Sequence, residues 1–205
     1  MRLRTALIAL ALAGAVWRFW PMGAPTSLPA PPPVALEAGA LTDPPRQRAL
    51  PDGPRFTVDG IPAQALAEYA LSARVLAARR YRLGHTAALA PLDLALGWGR
   101  MSDPAVIARL DIAQRHRWYL WSYSGAPPLP VREIETSSAN VHLIPADDAV
   151  AARLANLRTG DAVTLRGYLL GLERADGWRW RSSLTREDTG DGACELLYVQ
   201  QVARR

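Results

Sequence analysis

The clearest alternation of apolar and polar positions lies between Leu157 and Val199. Val163, Leu165, Gly167 and Leu169 are apolar or small, while Thr164 and Arg166 between them are polar. Strand side chains alternate between two faces, so this stretch predicts a strand with one buried face. Asp176-Gly177 follows, a pair that supplies positive φ at low steric cost and predicts a hairpin turn. Beyond the turn, Trp178 and Trp180 project to one side and Arg179 and Arg181 to the other. Ala193 to Val199 predicts a further apolar strand, with Cys194, Leu196 and Tyr198 sharing one alternation.

Upstream, Tyr69, Leu71, Ala73 and Val75 alternate with Glu68, Ser72 and Arg74, which favours a strand over Ala67–Tyr81. Gly97-Trp98-Gly99 predicts a tight loop that pins one aromatic ring. Ser102 or Asp103 before Pro104 is a helix start, and Val106, Ile107 and Leu110 would form that helix's buried face. Arg117 to Tyr123 is dense in strand-forming aromatics. Asp147 and Asp148 suit the N-terminal end of a second helix, with Val150, Leu154 and Leu157 as its apolar stripe. From Phe56 onward the order is β, loop, short α, β, loop, α, β, β, β. It predicts a β-rich α+β domain, a small antiparallel barrel of OB-like or SH3-like kind with one or two short helices.

The N-terminus differs in kind. Arg2 and Arg4 precede an uninterrupted apolar run from Thr5 to Trp17, the architecture of a signal or anchor helix over residues 1–22. Proline then recurs too often for helix or central strand, so residues 23–55 are expected to be a disordered, proline-rich linker. The globular domain is expected over 56–205. This organisation predicts a single-pass inner-membrane anchor with a periplasmic domain, the alternative being a cleaved, periplasmic protein. The expected partners are the membrane, through the N-terminal segment, and a cell-envelope protein.

The formal net charge is +5. Six arginines and three acids lie in residues 1–55, and 18 arginines and 16 acids in 56–205, so the folded part is close to balanced. Arginine alternates with aromatics at Arg117-Trp118-Tyr119 and at Trp178 to Arg181, letters that a single-stranded nucleic-acid platform would also use. Export and inward tryptophans with outward arginines explain them without a nucleic-acid partner. The single cysteine, Cys194, excludes an internal disulfide, and His85, His116 and His142 have no metal-ligand spacing. Neither a metal nor a cofactor is expected.

The motifs GWGRMSD at 97–103, SANVHLIPADDAV at 138–150 and DGWRWRSSLTREDTGDGACELLYV at 176–199 resemble an uncharacterised family of bacterial membrane-anchored or exported proteins. The resemblance covers about Tyr69 to Val199 and implies no activity.

Candidate chemistry falls on three loops. Trp98, Ser102 and Asp103 form one group, Ser138, Asn140 and His142 a second, and Ser183, Arg186, Asp188 and Cys194 a third. The ligand-binding candidates are Trp98, Ser102, Asp103, Ser138, Asn140, His142, Ser183 and Arg186. A hydrolase would need His142 within reach of Ser183 or Cys194, with Asp188 or Asp103 orienting the imidazole. No GxSxG elbow is present, and Asp188-Thr189-Gly190 lacks the apolar surroundings of an aspartic protease. The expected role is therefore a non-enzymatic binding or assembly module of the cell envelope, with hydrolysis by His142 and Ser183 or Cys194 as the alternative.

Overall fold

The computed structural model describes residues 28–205, so the anchor helix expected over 1–22 lies outside the described residues. Ten strands run in chain order: β1 (Arg46–Ala49), β2 (Arg55–Val58), β3 (Ile61–Arg80), β4 (Leu92–Gly97), β5 (Asp111–Arg115), β6 (Trp118–Ser122), β7 (Ser138–Pro145), β8 (Ala162–Glu173), β9 (Arg179–Arg181) and β10 (Glu195–Arg204). Three short helices join them: α1 (Pro104–Ile107), α2 (Val131–Thr136) and α3 (Asp148–Ala155). Among the described residues no helix is long and apolar enough to cross a membrane.

The longest strand organises the rest. β3 pairs with β1, β2, β4 and β8, all antiparallel. Register shifts between Ala65 and Ala67 and between Val75 and Ala77 let it bend from one set of partners to the next. Through β4, β7, β10 and β8 the pairing returns to β3, while β1, β2 and β9 lie outside that circuit. The result is one mixed sheet of eight strands rather than a clean barrel. β7 and β10 run parallel, which corrects the expectation of an all-antiparallel sheet. A parallel pair needs a long crossover, and here the chain supplies one through α3, β8 and β9. A third helix, α2, also exceeds the one or two expected.

The alternation read from the sequence sets the central core. Tyr69, Leu71 and Val75 of β3 meet Leu94 and Leu96 of β4, Val163 and Leu165 of β8, and Leu197 and Val199 of β10. Val150 and Leu154 join this core from α3, and Leu157 from the turn two residues past its end. Asp147 caps α3 by accepting a hydrogen bond from the Val150 N–H at 2.7 Å, and Asp103 caps α1 through the Ala105 N–H at 2.8 Å. At Gly167 a Cβ would stand 1.8 Å from the Tyr198 carbonyl oxygen, so only glycine lets β8 and β10 approach this closely.

The proline-rich segment expected over 23–55 as a disordered linker is packed chain from Leu28 on. Val34 is buried in a second apolar cluster with Phe56, Tyr168 and Tyr198. Gln200 accepts from the Val34 N–H at 2.8 Å and donates to the Pro32 carbonyl at 3.0 Å. The segment ends in β1, paired with β3. Proline prevents this stretch from forming helix, but side chains of the sheet satisfy its carbonyls.

Candidate functional site

Leu92, Leu94 and Leu96 of β4, with Val141 and Leu143 of β7, point into the central core, so the residues between them face the other way. Asp93 pairs with His142 across the two strands, and Ala95 with Asn140. The hairpin of β5 and β6 shields this face on one side. β9 and the loop 182–194 shield it on the other.

The hairpin is fastened by its turn. His116 and Arg117 both have positive φ, at 51° and 66°, as a two-residue turn between twisted strands requires. Neither is glycine, so the backbone is strained there, and the Arg117 side chain supplies the compensation. Its Nη1 lies 2.7 Å from Asp93 Oδ1, its Nη2 donates to the Ala90 carbonyl at 3.0 Å and its Nε to Thr86 Oγ1 at 3.1 Å. The guanidinium stacks 4.1 Å from the Tyr81 ring centroid and 5.4 Å from that of Trp180. His142 Nδ1 lies 2.9 Å from the same Asp93 oxygen, although the contact is not aligned as a hydrogen bond. Trp180 covers the imidazole with ring centroids 5.0 Å apart.

Cys194 sits level with Asn140. The Asn140 amide nitrogen is 3.7 Å from its sulfur, and the thiol points to the Arg117 carbonyl at 3.9 Å. Burial pushes the thiol up to about 11, with nearby Glu195, Asp93 and Asp188 adding to the effect and Asn140 opposing it. It is therefore a protonated thiol at neutral pH.

One residue further on, Glu195 is 1% exposed and pairs with Arg186, which also donates to the Tyr69 hydroxyl at 2.9 Å. Burial drives the Glu195 carboxyl up to about 7 against the pull of Arg186. Its Oε2, together with Arg186 Nε and Nη2, has no hydrogen-bond partner among the described residues. Burial also raises the Tyr69 phenol well above its ordinary value.

Two cavities open on this face. One, of about 250 Å³, lies between β6 and the loop, with Glu135, Arg186, Asp188 and Glu195 in its walls. The other, of about 350 Å³, lies under β9, walled by His142, Trp178, Trp180, Arg179 and Arg181. Trp118, Gly190 and Cys194 border both. Among the described residues no group of three or more His, Cys, Asp and Glu could hold a metal ion.

Of the residues singled out from the sequence, Ser138, Asn140, Arg186, Asp188 and Cys194 border the first cavity, and His142 and Cys194 the second. Ser183 lies beside them, giving its hydroxyl to Asp188 Oδ2 at 2.6 Å. Trp98, Ser102 and Asp103 border neither cavity. Trp98 is a core ring, the Ser102 hydroxyl donates to the Gly99 carbonyl at 2.7 Å, and Asp103 is a helix cap. Sequence reasoning missed Asp93, Arg117 and Glu195 as members of this face. The available signal was a lone acid inside an apolar strand, in LDLAL and in CELLYV. Such an acid is buried only with a partner.

No protein-family model, curated protein or solved structure matches this chain.

Proposed function

We propose that the chain is a non-enzymatic binding module of the cell envelope, built on an OB-like barrel and attached to the membrane by its N-terminal segment. The strand circuit β3-β4-β7-β10-β8, with a helix between β7 and β8, supports the OB-like reading over the SH3-like one. Arg2, Arg4 and the apolar run that follows support membrane attachment, which a high-salt wash of the membrane fraction tests.

The observation that carries binding over hydrolysis is where the nucleophile candidates spend their hydrogen bonds. The Ser183 hydroxyl faces Asp188 and the Thr185 carbonyl, and the Cys194 thiol faces the Arg117 carbonyl. His142 turns Nδ1 to Asp93, and among the described residues it makes no hydrogen bond to either candidate. A nucleophile without its base is inert, whereas rigid walls of aromatic and charged groups suit binding, because little order is lost when a ligand enters. The test is turnover of an activated nitrophenyl ester under single-turnover conditions. The binding reading expects no burst and the same slow background in wild type and His142→Ala. A stoichiometric burst lost in Cys194→Ser or Ser183→Ala would establish the hydrolase.

A further inference from the structure

The packing of the proline-rich segment shortens the tether. On the reading of residues 1–22 as a membrane anchor, only residues 23–27 separate it from Leu28, where the described chain begins. Those five residues span at most about 18 Å when fully extended, so the domain is held close to the bilayer rather than standing off from it. Leu28 gives its N–H to Thr57 Oγ1 at 3.1 Å, and Phe56 and Val58 on either side of Thr57 belong to the same apolar cluster as Leu89 and Ala90. The anchor's exit and the loop between β3 and β4 therefore adjoin one cluster.

That loop combines a protruding apolar side chain with unpaired arginines. Leu83 is 91% exposed between Arg82 and Gly84, and Gly84 turns the chain there at φ 103°. Residues 79–92 carry Arg79, Arg80 and Arg82, all exposed, and no acid. Arg80 donates to the Ala155 and Leu157 carbonyls at 2.6 and 3.1 Å, and its charge stays unmatched among the described residues. Asp93 lies opposite Arg79 in the β3–β4 register, but it is buried and bound to Arg117. The turn of the β5–β6 hairpin brings exposed Arg115 to the same place, because Tyr81 Oη accepts from the Arg117 N–H at 3.1 Å. Against these arginines stand Asp191, in a cavity wall with His85, and Asp148, at the opposite end of α3 from Arg80. The balance around Leu83 is positive.

We propose that this loop is a second membrane contact, with Leu83 entering the interface of an anionic phospholipid bilayer while Arg79, Arg82 and Arg115 meet its phosphates. The proposal rests on the membrane-attachment reading above and adds the face that the domain turns to the lipid. One leucine and a few arginines bind a bilayer only weakly by themselves. An anchor that holds them within reach makes the contact intramolecular, so weak intrinsic affinity suffices.

The test is hydrogen exchange of the full chain reconstituted in vesicles of phosphatidylcholine alone and in vesicles with about 30% phosphatidylglycerol. The N–H groups of Arg82, Leu83, Gly84 and His85 donate to no main-chain carbonyl among the described residues, so slow exchange there would report the lipid. Exchange over residues 81–86 should slow at least about fivefold in the anionic vesicles, and high salt should reverse the effect. The double variant Arg79→Ala, Arg82→Ala and the single variant Leu83→Ser should each restore fast exchange. These side chains are exposed, so folding survives the substitutions. Residues 131–136, in α2 at the other end of β4, should exchange alike in both vesicles. Equal exchange over 81–86 in the two vesicles, or slowing that persists in both variants, would overturn the proposal while a chain that still floats with the vesicles upholds the anchor. A chain that floats with neither would overturn both.

Discussion

Asp93 and His142 face each other across β4 and β7 with Oδ1 of the one 2.9 Å from Nδ1 of the other, and neither side chain is more than 5% exposed. Arg117 reaches the same oxygen at 2.7 Å, so one buried carboxylate ties the β5–β6 hairpin to the sheet. Asp93→Ala should cost about 3–5 kcal/mol in urea denaturation, because it leaves the Arg117 guanidinium with no countercharge. Adding Arg117→Met to Asp93→Leu should cost clearly less than the two single changes summed, the signature of a coupled pair. Strict additivity would show that the pair contributes no coupling.

The Glu195 carboxyl gives a pH dependence of definite sign. Its pKa in the folded chain is raised to about 7 by burial, with Arg186 lowering it and Asp188 raising it. Tyr69, the other titratable group at this contact, stays a neutral phenol throughout the range. Between the ordinary carboxylate value and about 7 the folded chain binds more protons than the unfolded one. Stability from this group is therefore complete below the ordinary carboxylate value and is lost as pH rises from there through about 7. The loss should be roughly 1–3 kcal/mol. It is measured as the urea midpoint against pH, and Glu195→Gln should flatten this part of the profile. A wild-type midpoint that rises through the same window would contradict the assignment.

The segment before β1 behaves as part of the fold. Val34→Ala should cost about 1–3 kcal/mol, since it empties space beside Phe56 and Tyr198. Pro33→Ala, at an exposed neighbour, should change the urea midpoint little. If both were silent, the segment would be a tether after all.

What the sequence made legible was local. Asp176-Gly177 turns where the dipeptide says it should, with Gly177 at φ 86°, and the alternation around Val163 sends Leu165 and Leu169 into the core. Asp147 and Asp103 cap their helices because each needs only the backbone two or three residues on. The missed features join distant parts of the chain. Val34 bonds to Gln200, Arg117 to Asp93, and β10 lies parallel to β7 in a register that no short window encodes. The site was half legible for the same reason. Asn140, His142 and Cys194 stand out as polar letters in an apolar run, but the partner that meets His142 is Asp93, not Asp103 or Asp188.

The most direct measurement of the central claim, that this face binds and does not catalyse, is the rate of Cys194 alkylation by a small maleimide across pH, in wild type and in His142→Ala. The binding account predicts slow labelling in the native state, an inflection near about 11, and no change of the profile in the variant. Rapid labelling with an inflection below about 8 that disappears in His142→Ala would mean a thiolate activated by the imidazole, and would contradict the account.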